Sequence, residues 1–168
     1  MSATHPAWLA LCTHIDIRKN VNHSSTVMTR EEFQALRDLP DKRITDDIVF
    51  TTTASNSSNL TFDNVRVENA LGVDVIVNGT FKPSIPTTIF NFYIRGQGPI
   101  CRVCVNGNIH DPVGRTHKHE LRREEDQRTN LPTAFARADL ENLSPKQVWD
   151  ILLKDANITH TGKFIEPQ

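Results

Sequence analysis

The side chains best suited to chemistry in this sequence lie between Arg95 and Arg123. That stretch holds His110, His117 and His119, the pair Cys101 and Cys104, and five arginines plus Lys118 against only Asp111 and Glu120, a local balance of about +4. Gly96-Gln97-Gly98, Gly107 and Gly114 add flexible pieces among them.

Two histidines about one phosphate apart could cleave RNA without a metal. One would accept the proton of the 2′ hydroxyl and the other would donate to the leaving oxygen, while Arg or Lys stabilises the developing charge. On a strand, His117 and His119 would share one face at about 6.6 Å, two residue rises, with Arg115 before them and Arg123 beyond. The candidate catalytic residues are therefore His117, His119 and His110, and the candidate phosphate-binding residues are Arg95, Arg102, Arg115, Lys118, Arg122 and Arg123. This reading needs no cofactor. It makes the chain a small nucleic-acid-acting protein, with RNA favoured over DNA, of the metal-independent ribonuclease kind.

Three other readings use the same residues. Cys101-x-x-Cys104 has zinc-knuckle spacing, and His117 and His119, or His110, could complete four-fold coordination. Against this, residues three apart on a strand point to opposite faces. The basic face could instead dock an acidic protein or nucleic-acid backbone in a non-enzymatic, regulatory role, with the histidines structural. Lastly, His117-x-His119 with Glu124 five positions on resembles the H-x-H-x4-E run of the cupins, which would imply metal ligands inside a small barrel. Asp111 stands where that pattern has glycine, and the C-terminal sequence turns helical where a barrel would add strands.

The longer stretch from Phe90 to His119 is similar to small uncharacterised bacterial proteins of mobile-element and defence neighbourhoods. The resemblance implies no function.

Composition sets the frame. At 168 residues with 38% hydrophobic and 23% charged side chains, the chain suits one globular domain, and a formal charge of −1 gives no global attraction to nucleic acid or membrane. Three cysteines, Cys12, Cys101 and Cys104, make no disulfide framework, and Ala7–Cys12 is too short an apolar run for a signal core. A cytoplasmic protein is expected, so the Asn-x-Ser/Thr triplets are read as chance. The phosphate-loop, dinucleotide, H-E-x-x-H and G-x-S-x-G signatures are all missing from the sequence, which argues against the reactions they serve.

The elements that must position these residues form an α+β pattern. Residues 1–27 have no periodicity and are expected to be a flexible arm, with the domain spanning 28–168; Met28 could itself be the start codon. Thr29 and Glu32 form a capping box that opens a helix with Phe33, Leu36 and Leu39 as its stripe, closed by Pro40. Five strands are expected, at 44–52, 60–67, 73–81, 88–95 and 100–105, with Ser55–Asn59 as a loop and Asn78-Gly79 and Asn106-Gly107 as tight turns of an antiparallel meander. In the fourth strand Phe90, Phe92 and Ile94 should face the core, leaving Asn91, Tyr93 and Arg95 opposite. Ser144-Pro145-Lys146-Gln147 caps a second helix carrying Val148, Trp149, Ile151 and Leu152, and the two helices should flank the sheet. His160 and Lys163 are read as a solvated tail.

Overall fold

The computed structural model describes residues 27–53 and 56–168, so the expected arm, with Cys12 in it, lies almost wholly outside the described residues. Both capping boxes form. Helix α1 (Arg30–Asp38) starts where the Thr29 hydroxyl accepts from the Glu32 amide and the Glu32 carboxylate accepts from the Thr29 amide. Helix α2 (Pro145–Asp155) starts with the same exchange between Ser144 and Gln147. Each box satisfies amides that a helix start would otherwise leave unpaired.

Among the described residues eleven strands follow in chain order: β1 (Lys42–Ile44), β2 (Ile48–Val49), β3 (Thr51–Thr53), β4 (Asn56–Val67), β5 (Val75–Lys82), β6 (Thr87–Ile94), β7 (Gly98–Val105), β8 (His117–Glu120), β9 (Ala134–Ala136), β10 (Ile158–His160) and β11 (Phe164–Ile165). Strands β3 to β9 make an antiparallel sheet in sequence order. This is the expected meander, with seven strands where five were expected. The two extra ones are β8 and β9, too short to stand out among charged neighbours, while the expected 44–52 run breaks into β1, β2 and β3, of which β3 joins the sheet. Residues 56–59, expected in a loop, belong to β4. Two small parallel pairs, β1 with β10 and β2 with β11, clamp the two ends of the domain together.

One face of the sheet carries the core. Val67, Val75, Val77, Phe90, Phe92 and Val103 meet Phe33 and Leu36 of α1 and Val148, Trp149 and Leu152 of α2 in one buried cluster. The two helices therefore share this side of the sheet and do not flank it: Phe33, Leu36 and Leu152 line one apolar cavity of about 60 Å³ with Phe92 and Cys101. Trp149 is fully buried, 5.2 Å from the Phe90 ring and 5.9 Å from that of Phe62. His160 is no tail residue: its Nδ1 accepts from the Trp149 indole at 3.2 Å and its Nε2–H donates to the Asp46 carbonyl at 2.9 Å.

Asn78-Gly79 is not a turn but mid-strand, with Gly79 opposite Phe62 in the β4–β5 ladder. A Cβ on Gly79 would stand 2.1 Å from the Phe62 ring, so glycine here gives the ring its place. Gly79→Ala is expected to destabilise by about 1–3 kcal/mol, the usual cost of overpacking, read as a lower urea midpoint. Asn106, by contrast, does leave β7 in the left-handed region, at φ 53°.

The other face of the sheet is polar. Register places Asn78 of β5, Asn91 of β6, Arg102 of β7 and His119 of β8 in one cross-strand row. Among the described residues, no helix is long and apolar enough to cross a membrane.

Candidate metal centre

Strand β8 is short, but its parity decides the site. His117 and His119 point to the polar face, whereas Lys118 and Glu120 point to the core side, where Lys118 lines the apolar cavity. The connection from β7 to β8 folds back at Gly114, which has φ 84°, and brings His110 alongside. The Gly114 carbonyl accepts from the His110 amide at 3.0 Å and from His117 Nδ1 at 3.1 Å, so one oxygen ties the loop to the strand.

The three rings stand 4.9, 4.9 and 5.0 Å apart between centroids, and one ligating nitrogen from each lies within 4.8 Å of the others. His119 Nδ1 lies 2.7 Å from the Leu131 carbonyl. A carbonyl only accepts, so Nδ1 of both His117 and His119 must carry the proton, leaving each Nε2 as a lone-pair donor. His119 Nε2 is buried with no hydrogen-bond partner. Leu131 presents its carbonyl from a left-handed backbone at φ 55°, although it is a fully buried, non-glycine residue. Such a conformation persists only where its surroundings enforce it.

The electrostatics favour neutral rings. Burial, with the His110 and Arg102 neighbours adding to it, holds His117 below the ordinary histidine range, and the hydrogen bond to the Gly114 carbonyl opposes the shift without cancelling it. Burial, followed by Arg102, takes His119 down to about 4. Neutral imidazoles fixed by backbone carbonyls are what a divalent transition ion needs from its ligands. Around a tetrahedral ion with bonds near 2.0–2.1 Å the nitrogens would stand roughly 3.3 Å apart. The loop that carries His110 is the part able to close that distance, since His117 and His119 are fixed in the ladder.

The cysteines do not join. Cys101 faces the core opposite Glu120, and burial pushes its thiol up to about 11; Cys104 is opposite His117 but outside the histidine group. The zinc set of Cys101, Cys104, His117 and His119 is therefore not assembled, for the reason parity gives. Nor does Glu124 serve as the cupin pattern would have it: it is exposed, at the start of a 3-10 turn at Glu124–Gln127.

The six expected phosphate-binding cations are dispersed. Arg95 pairs with Asp74 at 2.8 Å, and Arg123 with Glu125 and Asp126, each at 3.4 Å. Lys118 and Arg122, together with Arg30 of α1, surround Glu120 at 3.0–3.1 Å. Burial pushes the Glu120 carboxyl up, but these cations outweigh it and hold it below the usual range. Arg115 donates to the Gly107 carbonyl. Of the six, Arg102 is the one that stands beside the histidines, opposite His119 and with no carboxylate partner among the described residues. The carbonyls of Gly114 and Leu131, which set the rings, leave no trace in residue type; the Gly114 position itself was the one available signal.

No protein-family model, curated protein or solved structure matches the chain.

Proposed function

We propose that this protein is a metal-dependent hydrolase of phosphoesters. Its centre is a divalent transition ion held by His110, His117 and His119. The observation that carries the reading is the pair of rings whose Nδ1–H groups are bound to backbone carbonyls while the buried Nε2 of His119 has nothing to bond. Three protein ligands suit zinc in a catalytic setting, with one position left for water or substrate.

An ion so placed supplies Lewis acidity to a water or to a phosphoryl oxygen. The chain's own part is to orient the ligands and to hold the substrate anion with Arg102. Water adds to phosphorus and releases a proton to solvent, the ester P–O bond breaks, and the leaving oxygen takes up a proton from solvent, so that one water is consumed per ester cleaved. A metal-free acid/base pair fits less well, because its acid must hold a proton near neutrality while the surroundings of both His117 and His119 disfavour it.

The test is to strip the protein with EDTA, titrate it with cobalt(II) or zinc, and assay bis(p-nitrophenyl) phosphate and RNA. One ion per chain and hydrolysis that returns only with the ion are expected. RNA cleavage at full rate in EDTA would establish the metal-free histidine pair instead, and absence of stoichiometric binding would overturn the metal centre.

A further inference from the structure

The polar face of the sheet leads directly into the histidine centre. The row Asn78, Asn91, Arg102, His119 crosses four neighbouring strands, about 14 Å at the usual strand spacing. Tyr93 is two residues from Asn91 on the same face, half-buried and opposite Ile76. A shallow groove lined by Ile76, Asn78, Tyr93 and Gln97 opens on this side.

Apart from the Arg95–Asp74 pair at the rim of the groove, the charge in the strand positions of this face is positive. Arg66 of β4, Lys82 of β5 and Arg102 of β7 take polar-face positions, and among the described residues none of the three has an ion-pair partner. Lys82 and Arg102 both act on the Cys104 thiol, so they share its surroundings. No acidic residue occupies a register position beside them; Asp63 sits in the β4 bulge. The amides of Asn78 and Asn91 can pair with base edges, and the Tyr93 ring offers a flat surface to a base, at sites where a duplex would hide both. The Asn78 Oδ1 already accepts from the Asn64 amide, which fixes the amide with its N–H groups free.

We infer that this face is a binding track for a single-stranded polynucleotide, which passes over Tyr93, Asn91 and Asn78 and delivers a backbone phosphate past Arg102 to the histidine centre. The inference rests on the hydrolytic reading of that centre for its purpose, but the binding itself needs no metal.

The experiment is fluorescence anisotropy in EDTA with labelled single-stranded RNA and DNA of about a dozen nucleotides, within the range one such surface covers. Matching duplexes and poly-glutamate serve as competitors. Single strands should bind and duplexes compete poorly, with the RNA and DNA arms showing which sugar is preferred. Tyr93→Leu should weaken binding by roughly 5- to 150-fold, the range for losing one stacked base, and Tyr93→Phe should restore it. The Arg66→Ala/Lys82→Ala double variant should lower the slope of log affinity against log salt by about 1.4, two phosphate contacts on a single strand.

No binding of either strand at roughly 100 µM protein, where even non-specific contacts register, would overturn the track. So would equal competition by duplex, or poly-glutamate binding unaffected by Tyr93→Leu, which would point to an acidic protein. A chain that takes up zinc but no strand keeps the metal centre and loses the track. A chain that binds strands but no metal does the reverse.

Discussion

His119→Asn is expected to leave the fold intact and to lower metal affinity by more than roughly 100-fold, beyond the 10- to 100-fold typical of losing a supporting hydrogen bond. Asparagine can still donate to the Leu131 carbonyl from its amide nitrogen, as His119 Nδ1 does at 2.7 Å, but it has nothing where Nε2 was. Cobalt titration with circular dichroism on the same sample checks both halves. Unchanged affinity would remove His119 from the ligand set. The same substitution carries a pH signature in the metal-free protein. Folded His119 titrates at about 4 and the unfolded residue near 6.5. As pH falls from 6.5 toward 4, the unfolded state takes up a proton that the folded state refuses, so stability is lost across that window and is flat above it. Metal-free wild type should therefore lose urea resistance between pH 7 and 4.5, and His119→Asn should lose less. His117, shifted in the same direction, keeps part of the slope.

Trp149→Ala is expected to destabilise by about 3–5 kcal/mol, the cost of emptying a large buried aromatic site, against total stabilities of roughly 5–15 kcal/mol for domains in general. Trp149 packs against Phe62, Phe90 and Phe164 and donates to His160, which in turn donates to Asp46, so one side chain joins the sheet, α2 and the C-terminal clamp. Urea titration of the variant should show a much lower midpoint or an unfolded chain. Trp149→Phe, which keeps most of the apolar contact and loses the indole N–H, should cost far less. Equal losses from both would mean that the hydrogen bond outweighs the packing.

What was legible in the sequence was local. The capping boxes need only residues three apart, and both form. The alternation of Phe90, Phe92 and Ile94 reads as a core face because period two is a property of the strand itself. Gly79 failed as a turn because its glycine answers to Phe62, seventeen residues away, rather than to its own φ. The His117-x-His119 pair was legible by spacing, yet His110 joins it only through the fold of the loop. Parity should have excluded Lys118 from a phosphate site shared with its neighbours. The rest of the basic stretch was read as a patch because sequence shows charges without their partners: Glu120, a single carboxylate, collects three cations from two parts of the chain.

The clamp between the two ends of the domain has a consequence for the order of assembly. His160 reaches Asp46 across 114 residues, and Lys163 reaches Asp47 across 116. Contacts of such long range come late, because the intervening loop must be closed before they form. The histidine group proposed to hold an ion, with Arg102 and the Leu131 carbonyl, lies within residues 102–131, a contiguous stretch. On the ribosome, where synthesis runs from the N-terminus, this stretch emerges before the clamp can shut. The nascent chain thus has its three histidines available to an ion while Trp149 still awaits the cover of Phe164.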